Sequence, residues 1–280
     1  MRSFARKVFF PFDLVSDFAF HLPIIVASEI IGIPAADRET FRTTFENTAV
    51  LMQPKRSEEA WARGLEAGRW LGRYVNELIA ARRGAPQDDL ISALIAAEEE
   101  GSRLSAPEMV SAITTIYTAA GTTTERMISS GLYLLLKHPE QWQAVRDDRT
   151  MIPGAVEEML RFHHPTQSTS TNRRCTRDAE LGGKTLRAGD TVRVGLGAAN
   201  RDPAVFERAD QFDIRRKMPA PILSFGTGPH FCIGSALARF EGVLAFDAVA
   251  RRMPNVKLLT TAPEKDPRRP DRYREILVAA

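Results

Sequence analysis

Of the two cysteines in this chain, Cys232 stands in a setting that could do chemistry. The run Phe225-Gly226-Thr227-Gly228-Pro229-His230-Phe231-Cys232-Ile233-Gly234 puts it in a glycine-rich turn. Behind it Ile233, Leu237, Phe240, Leu244 and Ala248 recur at spacings of three and four, the period of a helix face. A cysteine at a helix N-terminus meets unpaired backbone N–H groups and the positive dipole end, which favour its thiolate. Gly226, Gly228 and Gly234 leave out side chains where a large flat ligand could approach the backbone. The combination suits a cysteine acting as a metal ligand. Two plainer readings stand beside it. An apolar-flanked cysteine is often an inert core residue, and His230-x-Cys232 could be half of a zinc site. The remaining His21, His138, His163, His164 and Cys175 form no second pair at finger-like spacing, which counts against zinc.

A second candidate lies in a long helix. Ser105-x-x-Glu108 is a capping-box signature with Pro107 in the first turn, and the helix should run to Lys137-His138 before Pro139. Its centre reads Ala119-Ala120-Gly121-Thr122-Thr123-Thr124-Glu125. Glycine beside three β-branched residues is a poor choice there, costing about 1 kcal/mol at the glycine alone. Threonine hydroxyls can also bond back to the preceding turn and bend the helix. A local rule broken in mid-element marks either a kinked core helix or a functional site. A third candidate is Glu158-Met-Leu-Arg161, whose charges share one helix face. Such a pair is commonly an ordinary surface salt bridge.

The elements that must position these residues follow from the pattern. Helices are expected over Asp13–Ile33, Asp37–Leu51, Ser57–Arg83, Asp88–Glu100, Pro139–Asp147 and Met151–Phe162, several closed by Gly or Pro. After His164-Pro165 the pattern turns to strands. Gly182-Gly183 between Glu180-Leu181 and Lys184-Thr185-Leu186 signals a hairpin, Gly189-Asp190 a turn, and Thr191–Val194 alternates as a strand. The segment from Pro254 onward is strand-like.

Composition sets the outer bounds. The chain has 280 residues, 44% hydrophobic and 26% charged, enough to bury a full core. Lys+Arg 38 against Asp+Glu 35 leaves +3 with no long basic run, which gives nucleic-acid binding little support. Two cysteines argue against a disulfide framework and for a reducing cytoplasm. No unbroken run of eighteen apolar residues and no signal-like core occur, so a soluble protein with no membrane partner is expected.

Phe225-Gly-x-Gly-x-His-x-Cys232-x-Gly234, continued by Ser235-Ala-Leu-Ala-Arg239-Phe-Glu241, resembles the haem-binding signature of the cytochrome P-450 superfamily in its soluble bacterial form. The resemblance implies a mainly α fold with small β-sheets and haem b as cofactor. Cys232 would be the axial thiolate, which favours O–O cleavage. Phe225 would pack near the sulfur, Gly226 and Gly234 would belong to the loop around it, and His230 and Arg173 would meet haem propionates. Ala120-Gly121-x-x-Thr124 resembles the family's oxygen-activation groove. Ala120 and Gly121 would make room for oxygen and substrate, and Thr124 would aid proton delivery. The family usually has an acid before that threonine; here Thr123 stands in its place, and Glu125 follows on a different helix face. Glu158, Arg161 and Arg216 would form a structural cluster behind the Cys232 loop, with Arg216 bidentate toward the carboxylate. Thr166–Thr171 and Tyr273–Val278 would border the substrate pocket.

By the same resemblance the chain is a single domain lacking the family's N-terminal portion, with 1–104 a helical substrate cover and 105–280 the haem-binding core. The activity implied is a monooxygenase that inserts one oxygen atom from O2 into a small organic substrate, using a ferredoxin-type electron donor. A haem-binding or inactive remnant, and a peroxide-driven haem-thiolate enzyme, remain the alternatives.

Overall fold

The computed structural model of the chain describes residues 11–52, 57–99, 104–167, 172–266 and 269–279. Strand β1 (Phe12–Asp13) leads into a π-helical turn, Leu14–Ala19, before helix α1 (His21–Ile31). The helix expected over Asp13–Ile33 thus begins with π-helical turns, and Asp13 stands outside it as the cap: its carboxylate accepts from the amides of Val15 and Ser16, both at 3.0 Å, while its backbone belongs to a sheet. Helices α2 (Arg38–Thr48), α3 (Glu58–Gly84), α4 (Leu90–Glu99) and α5 (Ala106–Lys137) follow. A 3-10 turn, Ala49–Met52, extends α2. Ser57 caps α3 by accepting the Ala60 amide at 3.2 Å. At the start of α5, Glu108 accepts from the Ser105 amide at 2.8 Å and from its hydroxyl at 2.7 Å.

Two compact units emerge, His21–Thr122 and Met1–Phe20 with Thr123–Ala280, and α5 belongs to both. The first is helical. Its core holds Ile31, Phe41, Val75, Ile91, Met109, Ile113 and Tyr117, with the Phe41 and Tyr117 rings edge-on at 4.8 Å. Gly32 lets the chain leave α1 at φ +97, a conformation few other residues tolerate. A Cβ there would fall 2.6 Å from the carboxyl carbon of Asp89, which is paired with Arg82.

The second unit contains α6 (Pro139–Asp147), α7 (Ile152–Phe162), a four-residue α8 (Leu196–Ala199) and α9 (Ser235–Arg252). Strands β2 (Arg173–Arg174), β3 (Ala179–Leu181), β4 (Lys184–Leu186) and β5 (Thr191–Val192) pair antiparallel as β2–β5 and β3–β4. The β3–β4 turn uses Gly182 and Gly183 at φ +56 and +74, as the glycine pair foretold. Strands β6 (Lys257–Leu258), β7 (Lys265–Asp266), β8 (Arg269–Tyr273) and β9 (Leu277–Ala279) complete it. They form a β7–β8 pair and a β1–β9–β6 sheet that ties Phe12 to Val278.

Glycines set the spacing of the helices behind the site. A Cβ on Gly131 of α5 would lie 2.5 Å from the Met159 sulfur of α7 and 2.8 Å from Phe246 of α9. One on Gly242 of α9 would lie 2.9 Å from Met127 of α5 and 3.3 Å from Val156 of α7. Each missing side chain admits a neighbour's.

The helical run Leu14–Ile31 is long and apolar enough to cross a membrane, and 39% of it is buried inside the protein. Counting unbroken apolar residues passes over it, because Asp17, Pro23 and Glu29 interrupt the run.

Candidate functional site

Glu158 and Arg161 project from the last turns of α7 into the interior, each side chain 0% exposed. The surface salt bridge that their spacing alone suggests is therefore the wrong picture. Burying a guanidinium without partners costs several kcal/mol, and here every N–H is used. Arg161 Nε and Nη2 reach the Glu158 carboxylate at 2.7 and 2.8 Å, Nη1 donates to the carbonyls of Asn200 and Ala209, and Nη2 to that of Gln211. Arg216 joins the same carboxylate. It does so through Nε alone, at 3.3 and 3.1 Å to the two oxygens, rather than as the bidentate fork expected. Its other nitrogens are drawn to the carbonyls of Glu207, Arg208 and Gln211. Arg208 adopts φ 50, turning its carbonyl toward Arg216. The Asp213 amide also donates to Glu158, at 2.9 Å.

A second buried network links this cluster to the loop that follows. The Ser224 hydroxyl donates to the Leu160 carbonyl of α7 at 2.8 Å, and the Asn200 amide group donates to the Ser224 oxygen at 2.9 Å. Asn200 also accepts the Leu223 amide at 2.7 Å. His164 Nε2 bonds the Ser224 carbonyl while Nδ1 accepts the Thr166 amide at 2.7 Å, so the ring is neutral with its proton on Nε2. Burial holds its pKa below the usual imidazole value. The sequence marks His164 only as a helix stop and a histidine without a zinc-site partner, and it does not mark Asn200. Their partners lie 60 and 24 residues away, beyond any spacing rule.

Ser224 stands at the root of the Cys232 loop. Phe225 ends a 3-10 turn, and its carbonyl accepts the Cys232 amide at 2.9 Å. Gly226 and Gly228 take φ +70 and +73, and no heavy atom lies within 4 Å of a Cβ placed on Gly228. Pro229 and His230 form a second 3-10 turn, with His230 exposed. Cys232 is a free, exposed thiol, and a Cβ on Gly234 would sit 3.9 Å from its sulfur. Cys232 precedes rather than begins the helix: Gly234 is the N-cap of α9, and the Cys232 carbonyl accepts the Ser235 amide at 3.2 Å.

Helix α9 is apolar on two faces. Ala245, Phe246, Val249 and Ala250 fill the core. The stripe read from the sequence is the other face: Ile233 is 87% exposed, Phe240 60%, and Leu244 is exposed as well. Among the core residues stands Glu241, 3% exposed, with Oε1 lacking any hydrogen-bond partner. Burial alone pushes its pKa up to about 7.

The α5 centre divides between the units. Thr124 and Glu125 are buried in the second unit, and Glu125 is held by Arg272 Nε of β8 at 3.2 Å. In the first unit, Thr114, Thr118 and Thr122 bond back to carbonyls one turn earlier. Space beside Gly121 is taken by Ile24, 2.7 Å from a Cβ placed there, and Ala120 packs against the first unit's core. Thr123 is half-buried. Arg173 is exposed on β2, opposite Val192. Of Thr166–Thr171, residues 168–171 lie outside the described residues. Tyr273 is buried, its hydroxyl pushed up to about 12 by desolvation and by neighbouring Tyr133. A cleft of about 450 Å³ beside Phe162, His163, Arg201 and Lys265 is also lined by Gln167, from the segment expected to border the substrate pocket, but not by Cys232 or Thr124.

The donor set fits a haem. Among the described residues no three His, Cys, Asp or Glu side chains gather as a metal cage. An iron held here would take one sulfur from the protein and its other ligands from its own macrocycle. The open backbone at Gly228 and the exposed Phe231 and Ile233 give a flat apolar group room to lie.

Comparison with known proteins gives the same direction. Residues 58–254 match the family model described as cytochrome P450. The chain is 40% identical over 247 residues to the cytochrome P450 monooxygenase PikC of Streptomyces venezuelae, 88% of this chain and 57% of that protein. It is 39% identical over 246 residues to the biotin biosynthesis cytochrome P450 of Bacillus subtilis, 88% of this chain and 61% of that one. Less than two thirds of either relative's length is therefore spanned. Among solved structures, CalO2 superposes with a TM-score of 0.89 at 32% identity, over 99% of this chain and 69% of that one. P450BioI in complex with a hexadec-9Z-enoic acid-ligated acyl carrier protein gives 0.86 at 37%, over 96% and 69%.

Proposed function

The chain belongs to the cytochrome P450 family, and from that premise we propose that it is the haem-binding part of a haem-thiolate monooxygenase. Its reaction inserts one oxygen atom from O2 into a small organic substrate, with electrons from a ferredoxin-type donor, in the cytoplasm. In this reading 105–280 act as the haem-binding core and, of 1–104, helices α1 to α4 act as the cover, while β1 and the turn after it join the unit of Thr123–Ala280.

The observation that carries this is the free, exposed Cys232 thiol on a glycine loop rooted in buried polar networks. Haem b, when bound, supplies the O2 activation. Cys232 Sγ would hold its iron as thiolate, and the Phe225 carbonyl holds the Cys232 amide, which restrains the sulfur's orientation. Gly226 and Gly234 keep side chains out of the loop at their positions, while His230 and Arg173 would hold the propionates. Glu158, Arg161 and Arg216 touch no substrate; they fix the segment that leads into the loop. Thr124 holds a proton at Oγ1 for delivery toward the haem, and Ala120 and Gly121 thin the same helix one turn earlier. Thr123 brings no carboxylate to that task, and Glu125 is engaged by Arg272.

The test is the reduced, carbon-monoxide-bound spectrum of the chain purified with haem available. A strongly red-shifted Soret band that disappears in Cys232→Ser supports the assignment. No haem band, or one typical of a neutral or histidine ligand, sinks it. A second reading, a remnant without turnover, is favoured by the open apolar stripe of α9, since large exposed patches drive association. A red, monomeric chain counts against it; a colourless, aggregating one counts for it. Turnover supported by peroxide without a reductase would separate the peroxide-driven alternative.

A further inference from the structure

Helix α9 carries an arginine that the site described above leaves without a task. Arg239 reaches across to α7, where Nη2 meets Glu157 Oε2 at 3.2 Å and Nε meets Oε1. Its Nη1 donates to the Ser235 carbonyl of its own helix at 3.4 Å. With the guanidinium plane fixed in this way, its carbon lies 4.4 Å from the centroid of the Phe225 ring. A cation over an aromatic face at that distance is attracted by the ring quadrupole, by about 0.5–2 kcal/mol depending on solvent access.

The acid that holds Arg239 is the immediate neighbour of Glu158. Adjacent helix residues do not face each other, so two successive carboxylates serve two separate arginine sites. Glu158 gathers Arg161 and Arg216, while Glu157 reaches α9 alone. Phe225 in turn is the residue whose carbonyl accepts the Cys232 amide, and Gly226 beside it has φ +70. Its ring gives the folded core a grip on this end of a glycine-rich loop, beside the hydrogen bonds at Ser224 and Leu223.

We propose that Arg239, braced by Glu157, is a positioning residue that presses on the Phe225 ring and thereby fixes the amide and sulfur of Cys232. The α7–α9 pair thus grips the loop directly, beside the polar networks at its root. The spectroscopic part of the proposal rests on the reading of Cys232 as a haem ligand; the loop-ordering part does not.

Hydrogen exchange read by mass spectrometry tests the second part on the haem-free chain. In Arg239→Met the Cys232 amide is expected to exchange about tenfold faster than in the parent, the scale of losing one such contact. Amides in the middle of α7 should stay within about twofold. Glu157→Gln, which keeps the arginine but loosens its brace, should give an intermediate acceleration. Arg239→Lys, which keeps the cation without the planar fork, should recover part of the protection. Unchanged Cys232 exchange in folded Arg239→Met overturns the proposal, and so does acceleration spread equally over α7 and α9. If Arg239→Met does not fold, Glu157→Gln decides by the same criterion. In haem-loaded protein, Arg239→Met should shift or broaden the carbon-monoxide band while Arg239→Lys retains it; identical bands in all variants refute the link to the sulfur. Failure of every variant and the parent to bind haem would remove the monooxygenase reading and leave the exchange result standing.

Discussion

Replacing Glu241 with glutamine measures what the fold gives up by holding a carboxyl in its interior. The side chain is 3% exposed, and its Oε1 has no hydrogen-bond partner. Burial raises its pKa from 4.5 to about 7. The folded state therefore binds this proton more tightly than the unfolded chain does. Stability from this group is fully present below pH 4.5 and is lost as pH rises through about 7. At about 1.4 kcal/mol per pKa unit, the full loss is about 3 kcal/mol, a large share of the roughly 5–15 kcal/mol that holds an ordinary domain together. Glutamine has nearly the same volume and cannot ionise. Urea unfolding of both proteins at half-unit steps from pH 5 to 8.5 should show Glu241→Gln gaining on the parent as pH rises, by about 3 kcal/mol at the alkaline end. Every other ionisable group is common to the two proteins and cancels in the difference. Stability curves that stay parallel across this range would refute the reasoning.

Other expectations follow from the same geometry. Arg161→Met leaves the buried Glu158 carboxylate to Arg216 Nε and the Asp213 amide alone, strips the Asn200 and Ala209 carbonyls of a buried donor, and should cost about 3 kcal/mol, read as a loss of cooperative unfolding or of soluble yield. Gly131→Ala drives a methyl group into Met159 and Phe246 and should cost about 1–3 kcal/mol by chemical unfolding, with the carbon-monoxide band of any folded, haem-loaded protein unchanged. His163 is held down to about 4, first by burial and then by the charge of Lys265. Its contribution is present above pH 6.5 and lost as pH falls through about 4, so His163→Gln should flatten the acid limb of the stability profile. Thr124→Val should leave folding and haem binding intact while diverting electrons to peroxide in any turnover assay.

The parts of the site legible in the sequence are those in which neighbours along the chain are neighbours in space. Glu158 and Arg161 are three residues apart on one helix, and Gly182-Gly183 closes its own hairpin. Helices α3 and α5 announce themselves through Ser57 and Ser105. What escaped detection is non-local. Gln141 donates to the Phe212 carbonyl and accepts the Ile214 amide, more than seventy residues away, and Arg239 finds Glu157 at a separation of 82. Helix α9 shows a further limit: because it is apolar on two faces, periodicity cannot say which one the core receives, and the more regular stripe is the exposed one. Asp13 shows the same limit, since its cap and its pairing with Leu277, far along the chain, fix where the helical run begins.

The five donors of Arg161 also set an order of assembly. Helix α7 leaves the ribosome with Glu158 already beside Arg161, but the carbonyls that complete the guanidinium's shell lie 39, 48 and 50 residues further on. During synthesis, at roughly 5–20 residues per second, this cation stays wet for several seconds while its remaining partners are made. The segment from Asn200 to Arg216 buries Phe206, Ala209, Phe212 and Ile214 and turns its carbonyls inward onto two arginines. The Cys232 loop comes next in the chain and is anchored through Asn200 and Ser224. The Cys232 loop is therefore among the later stretches to acquire a fixed shape, and it does so on a foundation that is already dry.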